Sequence, residues 1–254
     1  MRSRAVAIIA FVFLLIASAS AQEVVQTPEQ PSPAQPGPAQ PAITAPAAVS
    51  APASVAAKAD ALLLYKQGRD LEAAGKKAEA TAKYRDSIVI CDKELAGDPT
   101  RMDSYTVKCW SLFRLERYRE VIDLGNAGLK IKFDARIVEV MGEAFYYLND
   151  DASTVRYLQR YLDNTGEYGD RVPTAFFYLA ESYVRQKKLD HADIAYSMAV
   201  YREPGIARWW YRYASVAEAL GDNARAYTLY TKALALSPGL TEAVEGQTRV
   251  KARL

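Results

Sequence analysis

From Lys58 to Leu254 the apolar positions return every three or four residues, and no stretch alternates apolar with polar at a period of two. That pattern predicts helices throughout. It is clearest in GDNARAYTLYTKALALSP, Gly221 to Pro238, where Ala226, Tyr230 and Ala233 fall on one stripe of a helix. Ala214 stands twelve residues before Ala226, Trp210 four before that, and Pro238 five after Ala233.

The same spacing recurs upstream. Ala192, Tyr196 and Ala199 repeat it, with Ala180 and Phe176 before them and Pro204 after. Ala80, Tyr84 and Ser87 repeat it again, preceded by Gly68 and Leu64. Two weaker copies lie between: Tyr105, Cys109, Val121, Gly125 and Gly128, then Val138, Gly142, Thr154, Leu158 and Tyr161. The anchors at 80, 121, 154, 192 and 226 are 41, 33, 38 and 34 residues apart.

This pattern resembles the tetratricopeptide repeat (TPR), whose signature W-x2-L-G-x2-Y, A-x3-F and P extends over about 34 residues. Trp210, Ala226, Tyr230 and Pro238 carry it in the last copy, and Leu179, Tyr183, Ala192, Tyr196 and Pro204 in the one before. The resemblance implies an all-α, right-handed α-solenoid of about five helix pairs, near 61–94, 102–134, 135–168, 173–206 and 207–240, with a capping helix over 240–253. Each pair has a helix A and a helix B. Small residues at their crossing let the backbones approach, and aromatics fill the groove to the next pair. Three A–B turns show helix-stop or cap residues: AAGKK (Ala73–Lys77), LNDD (Leu148–Asp151) and LGDN (Leu220–Asn223). Two joints are long. KELAGDPTR (Lys93–Arg101) extends the first helix B, and DNTGEYGDR (Asp163–Arg171) inserts a polar loop.

The N-terminal part differs in kind. Arg2 and Arg4 precede an apolar run, Ala5–Ala17, and ASASAQ follows, which predicts a secretory signal over 1–21 cleaved after Ala21, with Ala19 as the alternative site. No cysteine follows the run, so no lipoprotein anchor is expected, and no second run has membrane length. Residues 22–57 hold eight of the twelve prolines and few large apolar groups, a composition that cannot build a core. Removing the two leader arginines leaves 30 basic against 30 acidic residues, a balance that gives nucleic-acid binding no support. An exported, periplasmic protein is the expectation, with secretion as the alternative.

Candidate chemistry is sparse. His191, between Asp190 and Ala192, is expected in the exposed first turn of a helix B, without partners for a triad or a His-based metal site. Cys91 and Cys109 form no C-x-x-C and are either a disulfide between the first two units or two small buried hydrophobes. No catalytic, metal or cofactor site is expected, and no enzyme activity.

What remains is binding. In the fold the resemblance implies, the A helices line a concave groove. Trp110, Tyr146, Tyr147 and Phe177 are its expected apolar anchors, with Arg185, Arg208 and Arg212 meeting acidic groups of a partner. Phe113, Arg114, Glu181 and Tyr211 complete the expected surface, and Tyr65, Arg69, Glu139 and Glu143 share it. The reading is a non-enzymatic adaptor that holds a peptide or protein segment in the cell envelope. A small-molecule or cell-wall-fragment binder is the alternative, and self-association a further one.

Overall fold

The computed structural model describes residues 60–166 and 169–254. The expected leader and the proline-rich segment lie outside these residues. The described chain is built of α1 (Ala61–Ala73), α2 (Lys77–Gly97), α3 (Met102–Arg114), α4 (Tyr118–Ile131), α5 (Ala135–Tyr147), α6 (Asp151–Thr165), α7 (Val172–Arg185), α8 (Leu189–Arg202), α9 (Ala207–Ala219), α10 (Asn223–Leu236) and α11 (Thr241–Lys251). Each helix packs on the next, and α1 on α3, α3 on α5, α5 on α7 and α9 on α11 also touch. The odd-numbered helices therefore form one face. This is an all-α solenoid.

Within each pair a small residue on the A helix receives a large one from the B helix. A Cβ on Gly68 would lie 2.5 Å from Tyr84, and one on Gly142 would lie 2.5 Å from Leu158. Ala180 with Tyr196, and Ala214 with Tyr230, fill the corresponding positions of the last two pairs and are fully buried. Gly142→Ala should cost about 2 kcal/mol, because Leu158 is fully buried and must shift. Urea denaturation followed by circular dichroism checks this.

The α3–α4 copy solves the same problem differently. On α4, Gly125 serves the next unit, where a Cβ would collide with Met141, and Gly128 sits between Tyr105 of its own unit and Ile137 of the next. Cys109 takes the small position of α3, with its thiol donating to the Val121 carbonyl at 3.9 Å. Cys91 and Cys109 are both buried, free thiols. Burial pushes each up to about 12, so neither is a thiolate at neutral pH. Ser87, also at a small position, donates to the Ala61 carbonyl and accepts from Ser111, so its buried hydroxyl is satisfied.

All five A–B turns use one device. Gly75, Glu116, Asn149, Lys187 and Gly221 adopt positive φ, between 59° and 83°. The next N–H then reaches back across the helix end, as Lys76 does to Leu71 and Lys188 to Tyr183. Glycine and asparagine accept this conformation readily, whereas Glu116 and Lys187 hold it under strain. Asp150 and Asp222 cap the helices that follow, accepting from the N–H groups of Ser153 and Arg225.

The α2–α3 joint is a tight turn. The helix runs to Gly97, and the Asp98 carboxylate accepts from both the N–H and the hydroxyl of Thr100. The lone α11 packs on α10 and α9, burying Ala243, Gly246 and Val250, and its Arg249 pairs with Glu218.

Candidate functional site

The side-by-side packing of α1, α3 and α5 leaves a cavity of about 420 Å³ on the odd-helix face. Tyr65 and Arg69 come from α1, one and two turns into the helix. Trp110, Phe113 and Arg114 come from the second half of α3, and Arg136, Glu139, Val140 and Glu143 from α5. The end of α6 and the residues before α7 close the far side with Tyr161, Thr165, Gly169, Asp170 and Arg171. Tyr65 and Trp110 pack with ring centroids 5.5 Å apart. Trp110 also packs against the buried cores of both the first unit, around Tyr65 and Tyr84, and the second, around Leu112 and Val121, so it joins packing to the cavity wall.

The α5 wall carries two buried carboxylates. Glu139 and Glu143 sit one turn apart, 4% and 2% exposed. A single arginine holds both: Arg171 donates from Nε to Glu139 at 3.0 Å and from Nη2 to Glu143. Two carboxylates against one guanidinium leave the pair short of positive charge. Burial, and then the neighbouring Glu143, push the Glu139 carboxyl well above its ordinary value. Burial and the neighbouring carboxylate thus favour the protonated form of Glu139. The Arg171 backbone N–H donates to the Tyr161 hydroxyl at 3.2 Å, fixing the approach to α7.

Beyond the cavity the odd-helix face continues as an aromatic network. Tyr118 and Tyr147 stack at 4.9 Å, and Phe113 meets both edge-on. Tyr147 and Tyr178 share a hydroxyl hydrogen bond of 2.9 Å, and Tyr146 packs on Tyr178 at 4.7 Å. Tyr178 is pushed above its usual range, first by burial and then by the charge of Glu143. Further along, Phe177 stacks on Trp209 at 5.0 Å and meets Tyr196 and Tyr178 edge-on.

The expected groove residues thus divide. Trp110, Phe113 and Arg114 line the cavity. Tyr146 and Tyr147 belong to the neighbouring aromatic cluster, where Tyr147 stays exposed. Phe177 is engaged between α7 and α9. Arg185 lies over the Tyr146 ring at 4.0 Å and donates to Asp151, Asn149 and the Tyr146 carbonyl. Arg212 grips Glu181 with two bonds of 2.5 and 2.7 Å, and the Tyr196 hydroxyl donates to the same carboxylate. Tyr211 packs near Tyr230, with centroids 6.3 Å apart. Of the arginines on the A helices of the five pairs, Arg69 and Arg208 are exposed and make no ion pair or hydrogen bond among the described residues.

Arg171, Arg136 and Tyr161 line the cavity without having been expected there. Arg171 ends the inserted loop DNTGEYGDR, and that loop was the available signal. His191 is exposed at the start of α8, its ring 5.2 Å from Tyr183. Among the described residues no group of three or more His, Cys, Asp or Glu is placed to hold a metal ion, and no helix is long and apolar enough to cross a membrane.

Paired antiparallel helices, small residues at each crossing and B-helix aromatics between units define the tetratricopeptide-repeat fold. Solved structures of that fold superpose on the chain. TTC0263, a thermophilic TPR protein of Thermus thermophilus, matches with a TM-score of 0.54 at 14% identity, covering 76% of this chain and 99% of its own. MamA of Desulfovibrio magneticus RS-1 matches with 0.53 at 14%, covering 71% and 96%. YrrB, a TPR protein with an unusual peptide-binding site, matches with 0.52 at 18%, covering 74% and 92%. At these identities the likeness is one of fold. No protein-family model and no curated protein sequence matches the chain.

Proposed function

We propose that the chain is a protein-interaction scaffold that holds an extended peptide segment against its odd-helix face, centred on the cavity between α1, α3 and α5. The observation that carries this reading is the cavity itself: about 420 Å³, walled by Tyr65, Trp110 and Phe113 and edged by arginines. Aromatics and arginine are the side chains that dominate interface energetics, because they bury much area and present fixed donors. The aromatic cluster around Tyr147 continues the surface in the direction of α7. The peptide-binding site of YrrB agrees with this use of the fold. The scaffold reading assigns the chain no enzymatic role.

The test is capture of the natural partner by Trp110→Ala combined with Tyr147→Ala. Binding should fall roughly thirtyfold or more, the loss expected when central aromatic anchors are truncated. Undiminished capture by a double variant with unchanged circular dichroism would sink the model. The cavity volume also lies in the range of small-molecule pockets, which supports a second reading. A metabolite or cell-wall fragment that raises the melting temperature of the wild type, but not of Trp110→Ala, would favour it.

We also propose that the protein works in the cell envelope. Support comes from the charged start, apolar run and small-residue end of residues 1–21. Fractionation of cells expressing the full chain checks this: recovery of uncleaved protein from the cytoplasm would contradict it.

A further inference from the structure

A second groove lies at the edge of the first two units, where the start of α2 faces the turn between α3 and α4. It is open and encloses about 490 Å³. From α2 come Lys77, Thr81 and Arg85, four residues apart and therefore on one stripe of the helix. The opposite wall is Arg114, Leu115, Glu116 and Arg117. Two of these four cations are committed within the chain. Arg114 meets Glu72 at 3.5 Å, and Arg117 holds Glu120 with two bonds of 2.6 and 2.5 Å. Lys77 and Arg85 are not committed. Both are exposed, and among the described residues neither makes an ion pair or a hydrogen bond. The half-buried Thr81 between them also differs from other helical threonines. Thr154, Thr165, Thr228, Thr231 and Thr248 each donate to the carbonyl four residues earlier. The Thr81 hydroxyl makes no hydrogen bond among the described residues.

We infer that this groove binds an organic phosphate, its phosphate group held between Lys77 and Arg85 and against the Thr81 hydroxyl. Positions 77 and 85 lie about 12 Å apart along the helix, so two long side chains can close on one group above Thr81. The arginine fork donates twice to phosphate oxygens, the ammonium adds a point charge, and the hydroxyl adds a further donor. Inorganic phosphate alone would leave most of the groove empty. The far wall is near neutral, because Glu116 and the internal pairs of Arg114 and Arg117 offset its cations. It also offers aliphatic surface, from Leu115 and the stems of the two arginines. The charged end of the ligand therefore belongs on α2 and its uncharged part against Leu115. This groove is separate from the cavity between α1, α3 and α5 and requires no peptide partner.

Two probes test this with the full chain: glycerol 3-phosphate, and phosphatidylcholine vesicles containing phosphatidic acid. Amide chemical shifts at low salt should move saturably with glycerol 3-phosphate, centred on residues 77–85 and 114–117, and not with glycerol. Lys77→Gln with Arg85→Gln, at exposed positions without internal partners, should weaken binding about tenfold or more while leaving the circular dichroism unchanged. Raising the salt should weaken it as well. Flotation with the vesicles, lost in the double variant and competed by glycerol 3-phosphate, assigns the phosphate to a lipid headgroup. Saturable shifts without flotation assign it to a soluble ligand. Either outcome upholds the groove. Shifts scattered over the other exposed lysines and arginines overturn the inference, as does binding that survives in the folded double variant. The absence of both shifts and flotation overturns it too.

Discussion

Tyr196→Ala should destabilise the protein by about 4 kcal/mol, the middle of the range for truncating a buried aromatic. Tyr196 is fully buried on α8. Its ring stands 6.0 Å from Phe177 on α7 and 6.3 Å from Tyr213 on α9, so its removal opens a cavity between two units. Its hydroxyl also donates to Glu181, a carboxylate only 8% exposed. Truncation to alanine removes the ring and one donor to a buried charge together. Tyr196→Phe separates the two terms: it keeps the ring and should cost only about 1–2 kcal/mol. Because units of such an array are stabilised by their neighbours, the alanine variant should loosen the fourth and fifth units first. Urea denaturation, with hydrogen exchange read separately on α7–α10, measures both size and place. A loss below about 1 kcal/mol would contradict this packing.

Arg171→Ala is expected to cost about 3 kcal/mol at neutral pH. Removing one partner of a buried ion pair leaves the other charge uncompensated, and here the Glu139–Glu143 pair loses its one cation. The Arg171 side chain is itself 46% exposed, which places the cost at the lower end of the range for such pairs. The effect should depend on pH in a fixed direction. Burial raises Glu139 above its ordinary 4.5, so above that value the native state holds a proton that the unfolded chain releases. Stability from this group is therefore highest below about pH 4.5 and falls as pH rises toward the folded pKa. Arg171 opposes that shift, so its removal should extend the falling window upward and deepen the loss. Glu139→Gln removes this group's titration and should flatten the profile. Urea midpoints at about pH 4 and about pH 8 for the wild type and both variants decide the matter. A wild-type profile unchanged by Glu139→Gln would show that the buried proton is wrongly assigned.

The helix pairs were legible because packing imposes a spacing that chain chemistry cannot hide. Ala192, Tyr196 and Ala199, or Ala226, Tyr230 and Ala233, must be small, large and small for the backbones to meet. Three of the five turns were visible in glycine or asparagine, at Gly75, Asn149 and Gly221. The other two were not, because Glu116 and Lys187 take the same backbone conformation against their own preference. The site was harder to read. Spacing placed Trp110, Phe113 and Arg114 on the odd-helix face, where they line the cavity, yet it treated Arg185 and Arg212 as cations open to a partner. Their partners lie in the preceding unit, Asp151 and Glu181, 34 and 31 residues earlier. Arg171 to Glu139, Arg225 to Asp193 and Arg249 to Glu218 span 32, 32 and 31. An arginine about one repeat after a carboxylate is thus a recurring inter-unit tie in this chain. That offset exists in the sequence, but only the stacking of units gives it meaning.

The central claim, that a segment of a partner lies in the cavity between α1, α3 and α5, is tested most directly by site-specific photo-crosslinking. A photo-reactive residue at position 110 should capture the bound partner. The same residue at Tyr201, 78% exposed on the B helix α8, should capture none. Crosslinking at 201 with none at 110, in variants that both fold, would place the interaction on the other helices and contradict the account.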